Sequence, residues 1–342
     1  MSNQDSIIQV FPINEKNGIY SFRHMGEFRI VNLIGAGKFS QIFKARPKEN
    51  DDSENSKIFN CTIKIFQKCN LIKNNMISLS PKKILFNEIS ELHLLQKINS
   101  IGSPNLIKMY DWAIDRKTCE TRILMEYMPY NMRNYFLNPQ HLNNLTENSL
   151  KKLTFQILLG LNALHKNRII HSDIKPENIL LDPEKNIVKI TDFTLSQFVT
   201  YDLDKKDFSN GGTYSYMPLE GLLDTKKYGF SRDIWSLGCI LVELCCRKIP
   251  FKGNDANTVI KKILKICGLD IQSISSFFDY CKNCIDYNGV KERIINYIKM
   301  NSKIVFINED CYDLFSRMLC INPLLRITAE EALKHPWLAN ID

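Results

Sequence analysis

Hydrophobic positions in the first part of the chain follow the alternation expected of β-strands. From Phe28 to Phe66, β-branched and aromatic residues alternate with polar ones and glycines punctuate the run, a pattern typical of short strands joined by turns. An acidic and polar stretch, Lys48 to Lys57, interrupts this pattern and predicts an inserted loop exposed to solvent. Residues 1–27 are polar and weakly patterned, so we expect them to form an extension outside the core fold.

The spacing becomes helical further along the chain. Residues Pro81 to Ile98 place apolar side chains three or four positions apart, whereas Arg122 to Tyr127 again resembles a strand. From Leu150 onward helical spacing dominates, and Ile234 to Leu244 is apolar nearly all round, which predicts a helix in the protein interior. A small β-rich unit followed by a larger α-rich unit predicts an α+β fold.

Composition narrows the class of protein. Of the 342 residues, 44% are hydrophobic and 24% are charged, which is the balance of a globular protein and excludes disorder for most of the chain. No apolar run reaches the roughly 18 residues of a membrane-spanning helix, so no membrane partner is expected. Residues 1–12 show no secretory signal, and the eleven cysteines have no regular spacing. These features favour reduced thiols in a cytoplasmic or nuclear protein.

The net charge and the cysteines raise two further possibilities, a nucleic-acid groove and a zinc site, and the sequence favours neither. The net charge of +8 is spread along the whole chain, which favours a solvated surface over a nucleic-acid groove. Cys281 and Cys284 form one C-x-x-C pair, but no second pair stands at the spacing of a zinc site, so structural zinc is not expected.

A glycine-rich stretch lies between two strand-like runs, from Ile34 to Ile42. Glycines allow backbone N–H groups to approach phosphate oxygens closely, although a plain turn between strands also favours glycine. Ser40 stands where a third glycine would strengthen the motif. By itself the stretch supports both interpretations.

Lys64 lies inside a hydrophobic strand, where a charge is costly without a partner. In that strand Ile63 and Ile65 face one way, and Thr62 and Lys64 face the other. Glu91, in the helix Pro81 to Ile98, could provide the opposite charge; a lysine at a sheet edge is the alternative.

Polar residues also cluster after the helix that follows Leu150. The segment from Ile169 to Leu181 contains Asp173, Lys175 and Asn178, and Asp192 follows 19 residues after Asp173. These residue types suit phosphoryl transfer: a carboxylate orients the attacking hydroxyl, a cation neutralises the moving phosphoryl group, and an amide oxygen with a second carboxylate holds magnesium.

Taken in order, these motifs resemble a eukaryotic-type protein kinase over Phe28 to Leu338. The resemblance implies a bilobal fold, with a β-rich N-lobe over 28–124, a hinge over 125–131 and an α-helical C-lobe over 132–338. It also implies ATP and Mg²⁺ as cofactors and protein substrates as partners, while the regulatory subunit stays unknown.

The resemblance assigns roles residue by residue. Asp173 is the catalytic base, Lys175 neutralises the γ-phosphate, and Lys64 holds the α- and β-phosphates while Glu91 holds Lys64. Glu88 remains an alternative to Glu91. The metal ligands are Asn178 and Asp192. The residues assigned to nucleotide binding are Ile34, Gly35, Ala36, Gly37, Lys38, Phe39, Ser40, Ile42, Thr62, Lys64, Met125, Glu126 and Met128.

Further residues indicate the subclass. Lys175 in the sequence Asp-Ile-Lys-Pro-Glu-Asn resembles serine/threonine kinases. Ser172 stands where most kinases have arginine, as in the SR-protein, CDC-like and dual-specificity tyrosine-regulated branches of the CMGC group. Met217 stands where that group usually has arginine, and the surrounding segment resembles monopolar-spindle kinases instead. The resemblance favours the CMGC group, and the branch within it is left open.

Two departures from the family pattern bear on activity. Thr62 replaces the alanine that covers adenine, and Thr194 replaces the glycine of the Asp-Phe-Gly motif. All six residues of the phosphoryl-transfer machinery are nevertheless present. The sequence therefore favours an active serine/threonine protein kinase, with a nucleotide-binding pseudokinase that acts as a scaffold as the alternative.

Overall fold

The computed structural model describes the chain from residue 19 to residue 341, with gaps. The residues outside the description within this range are 23, 38–39, 49–59, 67–80, 115–119, 137–140, 142–144, 200–212, 224–228, 271–285, 305–307 and 340, and only the backbone is described for 81–90. The chain divides into two compact units. One comprises residues up to 102 together with 107–128, and the other comprises 103–106 together with residues from 129 onward.

The described residues of the first unit form an antiparallel sheet and one helix. Its elements are β1 (Ile19–Phe22), β2 (Gly26–Ala36), β3 (Ser40–Pro47), β4 (Cys61–Phe66), α1 (Pro81–Ile101), β5 (Met109–Ile114) and β6 (Thr121–Glu126). The strand order across the sheet is β1-β2-β3-β4-β6-β5. Every residue of β4 is buried, so this central strand has a covered side chain on both faces.

The expectation that residues 1–27 lie outside the fold is wrong for Ile19–Phe22. This segment pairs with β2, and Tyr20 and Phe22 are 6% and 5% exposed. Both rings belong to the cluster that covers Ile63 and Ile65 on one face of β4. A strand of four residues is too short to produce a recognisable alternation in the sequence, which is why the pattern did not reveal it. The predicted loop Lys48 to Lys57 lies outside the described residues except for Lys48.

The second unit is mainly helical. Its helices are α2 (Met132–Phe136), α3 (Glu147–Lys166), α4 (Leu219–Leu222), α5 (Ser231–Cys246), α6 (Ala256–Cys267), α7 (Tyr287–Asn301), α8 (Glu309–Met318) and α9 (Ala329–Leu333). Its strands are β7 (Tyr130–Asn131), β8 (Ile169–Ile170), β9 (Ile179–Asp182), β10 (Ile187–Ile190) and β11 (Gln197–Phe198). β7, β9 and β10 form one small sheet, and β8 pairs with β11.

Helix α3 delivers the chain to the polar cluster predicted from the sequence. Thr146 and Ser149 form a reciprocal capping box at its N-terminus, which satisfies backbone donors that would otherwise lack partners. Its apolar stripe, predicted from the spacing, is buried. Gly160 lets the helix approach β10 closely, because a Cβ there would lie 2.9 Å from Cδ1 of Ile190 and 3.0 Å from the carbonyl oxygen of Asn105.

Helix α5 confirms the predicted interior helix. Nearly all of its residues are buried, among them Trp235, which stacks on Phe251 at a ring-centroid distance of 5.5 Å. It also buries the charged residues Arg232, Asp233 and Glu243, which require partners at that depth. Among the described residues, no helix is long and apolar enough to cross a membrane.

The described cysteines are free thiols. They number seven, and six of them are buried. Burial raises the pKa of the Cys61 thiol to about 12 and that of Cys246 to about 11, so both stay protonated at neutral pH. Cys281 and Cys284 lie outside the described residues.

Phe22→Ala tests the contribution of β1. We expect it to lower the free energy of unfolding by about 3 kcal/mol, because a buried ring is lost and a cavity remains beneath the sheet. Urea unfolding followed by tryptophan fluorescence measures the change. Met25→Ala, at a position 42% exposed, is the control and should change stability by less than about 0.5 kcal/mol. Equal effects of the two substitutions would contradict the role of β1.

Candidate active site

In the first unit, Lys64 and Glu91 form a buried ion pair. Nζ of Lys64 lies 2.6 Å from Oε1 of Glu91, and the two side chains are 4% and 2% exposed. The pair lies on the face of β4 opposite Ile63 and Ile65, as the strand alternation predicts. Glu91 belongs to α1, so the ion pair ties this helix to the sheet. The ammonium also lies 5.0 Å from the ring centroid of Phe66.

The glycine-rich stretch connects β2 and β3 of the same sheet. Gly35 faces Ile42 and Ala36 faces Gln41 across the two strands. The backbone N–H of Gly37 donates to the carbonyl of Ser40 at 2.8 Å. The stretch is therefore a hairpin connection. Its tip residues, Lys38 and Phe39, lie outside the described residues.

The predicted hinge, residues 125–131, begins at the end of β6. Met125 faces Thr62 of β4 across the ladder, which places two of the predicted nucleotide-binding residues side by side. The carboxylate of Glu126 accepts the backbone N–H of Lys108 at 2.6 Å, and the backbone N–H of Glu126 donates to the carbonyl of Lys108 at 3.0 Å. Met128 is buried. These bonds fix the backbone of the segment against β5.

In the second unit, Asp173 accepts hydrogen bonds at both carboxylate oxygens. Oδ2 lies 2.5 Å from Nζ of Lys175 and 3.2 Å from Nδ2 of Asn178. Oδ1 accepts the backbone N–H and the hydroxyl of Thr213, at 3.1 and 3.2 Å. The residue is 8% exposed. Charged and neutral donors thus hold the carboxylate in one orientation.

A buried carboxylate under this loop fixes its backbone. Oδ1 of Asp233, in α5, accepts the N–H of Ser172 at 2.9 Å, and Oδ2 accepts the N–H of His171 at 3.0 Å. Nε2 of His165 lies 2.9 Å from the same Oδ2. Ser172 has φ of 69°, a left-handed conformation that a residue with a side chain adopts only when its surroundings impose it.

His171 links the loop to the following strand. Its Nε2 lies 2.9 Å from the carbonyl of Thr191, and its Nδ1 accepts the N–H of Asp173 at 3.3 Å. The tautomer with the proton on Nε2 satisfies both contacts. The ring also packs edge-on against the buried Phe193. The His171 ring therefore links the backbone of Asp173 to Thr191, the residue before Asp192.

Asn178 and Asp192 lie at the same end of the β9–β10 hairpin. The N–H of Thr191 donates to the carbonyl of Asn178 at 3.0 Å, and Ile179 faces Ile190. The Thr194 hydroxyl donates to Oδ1 of Asp192 at 2.6 Å. The threonine that departs from the family pattern therefore orients the carboxylate it follows.

The donor set at this end of the hairpin fits a hard divalent cation. Nδ2 of Asn178 donates to Asp173, which leaves the amide oxygen Oδ1 directed elsewhere as a ligand atom. Asp192 contributes a carboxylate, and Mg²⁺ prefers oxygen ligands of these two types. Among the described residues no group of three or more His, Cys, Asp and Glu side chains could hold a metal ion by itself.

A second charged network surrounds Arg133. Its guanidinium lies 2.5 Å from Oε1 of Glu177, 2.7 Å from Oε1 of Glu243 and 2.5 Å from the Tyr216 hydroxyl. That hydroxyl donates to Oε2 of Glu243 at 2.6 Å. Burial, followed by the neighbouring Glu243 charge, raises the pKa of Tyr216 well above its ordinary value. The network ties Tyr216 and the segment after Thr213 to α5 and to the loop that holds Asp173.

A fully buried ion pair anchors the end of this same segment. Glu220 accepts from Nη1 and Nη2 of Arg326 at 2.6 and 3.2 Å, and the guanidinium lies 5.0 Å from the Trp235 ring. The bidentate geometry is the strong form of this interaction. These contacts are structural, because they hold the end of the segment against the body of the second unit.

Within each unit, predicted site residues lie in contact with one another. Lys64 meets Glu91 in the first unit, and Asp173, Lys175 and Asn178 meet in the second. Glu88 belongs to the part of α1 for which only the backbone is described. The sequence did not reveal the hydrogen-bonding roles of Thr213, His171 and Asp233. For Asp233 a signal existed, because an acidic residue in a helix that is apolar all round needs buried donors.

Comparison with known proteins identifies the sequence family. The family model described as "Protein kinase domain" matches residues 28–338. Cyclin-dependent kinase 12 of Drosophila melanogaster is 27% identical over 349 residues, which cover 96% of this chain and 28% of that protein. Cyclin-dependent kinase 11.2 of Caenorhabditis elegans is 26% identical over 329 residues, which cover 94% of this chain and 46% of that protein.

A third relative is of similar length to this chain. Cell division control protein 2 homolog 2 of Trypanosoma brucei brucei is 29% identical over 261 residues, which cover 74% of this chain and 70% of that protein. The chain therefore spans 28% and 46% of the first two relatives and most of the third.

Asp233→Asn tests whether the buried carboxylate holds the loop. The carboxylate of Asp233 has two oxygens, and each accepts one backbone N–H. The asparagine amide keeps only one oxygen and has an NH2 group in place of the other, so one backbone N–H loses its partner. We expect a loss of about 2 kcal/mol in unfolding free energy and faster amide hydrogen exchange at His171 and Ser172. Asp310→Asn, at an exposed carboxylate, is the control. Unchanged exchange at both amides would contradict the assignment.

The same substitution should change the response to acid. Burial raises the pKa of Asp233, but the hydrogen bonds and charge of His165 outweigh it and hold the pKa below its ordinary value. The stabilisation is therefore complete above the unfolded pKa of about 3.9 and is lost as the pH falls through the lower folded pKa. The asparagine variant should lose less stability over that acidic interval, which urea unfolding at a series of pH values measures.

Proposed function

The chain belongs to the protein kinase family, and we propose that it is a kinase of the CMGC group that transfers the γ-phosphoryl group of ATP to serine or threonine hydroxyls of protein substrates. The observation that carries this proposal is the position of Asp173, whose carboxylate is held by Lys175, Asn178 and Thr213. A carboxylate, a cation and an amide in this arrangement suit the transfer of a phosphoryl group to a hydroxyl.

Asp173 is the proposed proton acceptor. Its two oxygens are fixed by donors from three residues, so little reorientation is needed when an acceptor hydroxyl approaches. The carboxylate directs the hydroxyl oxygen toward phosphorus and takes its proton as the new P–O bond forms and the bond to the leaving oxygen breaks. Thr213 ties this carboxylate to the segment that leads to Tyr216 and Glu220.

Two lysines neutralise negative charge in the proposed reaction. Nζ of Lys175 lies 2.5 Å from Asp173 and so stands beside the attacked phosphoryl group, where charge spreads over the equatorial oxygens. Lys64 is the proposed ligand of the α- and β-phosphates. Its ion pair with Glu91 keeps the ammonium extended within the buried face of the sheet.

Asn178 and Asp192 are the proposed ligands of Mg²⁺. When bound, the ion would neutralise the phosphate oxygens and orient them. The Thr194 hydroxyl fixes one carboxylate oxygen of Asp192, and Asp173 fixes the amide group of Asn178. Both ligands are therefore oriented by neighbouring side chains of this chain.

The class of acceptor follows from the loop around Lys175. This lysine, two residues after Asp173, resembles that of kinases that act on aliphatic hydroxyls. The nucleotide-binding residues proposed from the resemblance extend from Ile34 to Met128. The non-catalytic scaffold is the less favoured alternative, because all six residues of the transfer machinery are present and those described are hydrogen-bonded or paired.

Asp173→Asn separates the two functions. We expect phosphate transfer from labelled ATP to a generic peptide substrate to fall by about 10² to 10⁴, because the amide cannot accept the hydroxyl proton. Binding of a fluorescent ATP analogue should stay within about twofold of the parent. Asp182→Asn, in the same hairpin but away from the site, is the control. Activity within about twofold of the parent would exclude Asp173 as the base.

Asp192→Asn tests the proposed metal ligand. A neutral amide binds Mg²⁺ more weakly than a carboxylate, so the magnesium-dependent part of the ATP-induced rise in Tm should fall by half or more. Thermal unfolding with ATP in excess magnesium and in excess chelator measures that increment, and Asp182→Asn is again the control. If the variant keeps the full increment, the assignment of Asp192 is wrong.

A further inference from the structure

The second unit contains a basic groove away from Asp173 and Asp192. The groove lies along α6, α7 and the segment after α5, and it has a volume of about 650 Å³. Five cations line it: Lys248, Lys252, Lys262, Lys265 and Arg293. No carboxylate is among the described residues that line it. We call this surface the basic groove.

The five cations have no carboxylate partner within the described part of the chain. Lys262 instead donates to the backbone carbonyl of Lys252, and all five cations line the same groove. Gathering like charges is unfavourable for the fold. An anion in the groove would relieve that repulsion.

The position of Arg293 is set by the backbone of α6. Gly268 ends that helix with φ of 66°, and the Arg293 guanidinium packs so closely on it that a Cβ at this position would collide with the side chain. Lys262 and Lys265 are three residues apart on the same helix and therefore share a face. Three of the five cations, Lys262, Lys265 and Arg293, therefore lie on helices.

Apolar side chains lie among these charges. Met300, on α7, is 85% exposed, and Tyr297 and Ile266 are half-buried beside it. Arg293, Tyr297 and Met300 follow a spacing of four and three residues and form one stripe along α7. A methionine exposed to this degree is costly to keep in water and is suited to contact an apolar partner.

We propose that the basic groove binds a short acidic segment of a protein partner, in which carboxylates flank an apolar side chain. The five cations, which have no carboxylate partner among the described residues, select the carboxylates, and Met300 with Tyr297 receives the apolar side chain. A volume of about 650 Å³ lies within the range of pockets for small ligands and holds a few side chains. Recognition through this surface does not require the phosphoryl-transfer residues.

The same features disfavour two other anionic partners. Single-stranded nucleic acid needs successive aromatic side chains on which bases stack, whereas Tyr297 is the one aromatic residue among those lining the groove. A membrane surface needs a broad convex patch with an apolar helix face, whereas here the cations surround a concavity. Both classes therefore serve as competitors in the test.

The test uses the full chain and a short fluorescent peptide in which glutamates flank a leucine. A peptide with glutamines in place of the glutamates is the matched probe. Fluorescence anisotropy at low and high salt should show binding of the acidic peptide, weakening as salt rises, and at least tenfold weaker binding of the glutamine peptide. Unlabelled oligothymidylate and phosphatidylserine vesicles should compete poorly.

Variants locate the binding. Lys262→Glu with Lys265→Glu should weaken acidic-peptide binding at least tenfold, because two attractions become repulsions, and Met300→Ala should weaken it by about fivefold through lost apolar contact. Lys261→Glu, exposed on the same helix but outside the groove, should change it by less than about twofold. Phosphate transfer to a generic basic peptide should be unchanged in all three variants.

Several outcomes would overturn the proposal. The first two are that the acidic peptide does not bind, or that both peptides bind equally. A third is that the double variant, Lys262→Glu with Lys265→Glu, weakens binding no more than Lys261→Glu does. The last is that the oligonucleotide or the vesicles compete strongly with the acidic peptide. If the double variant lowers the Tm, Lys262→Gln with Lys265→Gln provides the same comparison without repulsion.

Discussion

The buried carboxylate of Asp233 is the interaction on which the second unit's site depends. A charge at 1% exposure is tolerated only when donors surround it, and here two consecutive backbone N–H groups and an imidazole do so. The same two N–H groups can point at one carboxylate only if the backbone turns sharply, as the left-handed φ of Ser172 shows. The energetic need of one buried acid thus sets the conformation of the loop that carries Asp173.

Other buried charges act in the same way elsewhere. Lys64 and Glu91 connect α1 to the sheet in the first unit, and Glu220 and Arg326 hold the end of the segment after Thr213 in the second. Well-packed apolar residues of similar volume can match the stability of such pairs. The ion pairs therefore fix where the paired segments lie relative to each other. If one partner moved away, the other would be left as an uncompensated buried charge. Position is what a phosphoryl-transfer site requires of its side chains.

The second unit has two charged regions that differ in how their charges are paired among the described residues. Both carboxylate oxygens of Asp173 accept hydrogen bonds, and the carboxylates of the Arg133 network are paired with its guanidinium. In the basic groove the described cations are collected without carboxylates. The first arrangement is organised internally and suits a small reacting group, whereas the second would take its counter-charge from the proposed acidic partner. A kinase that recruits partners through such a groove separates recognition from chemistry.

The sequence by itself determined the residue types of the site and the order of the elements. The spacing of Asp173, Lys175, Asn178 and Asp192 suited phosphoryl transfer, and the apolar periodicity predicted α3 and the interior helix α5, because both signals are local in the chain. Tertiary structure decided what depends on distant segments. Ile19–Phe22 joins the sheet only because β2 offers a free edge and Ile63 needs cover. Thr213 meets Asp173, Arg293 packs on Gly268, and Asp233 reaches the loop through folding alone, since no sequence spacing encodes contacts between residues so far apart.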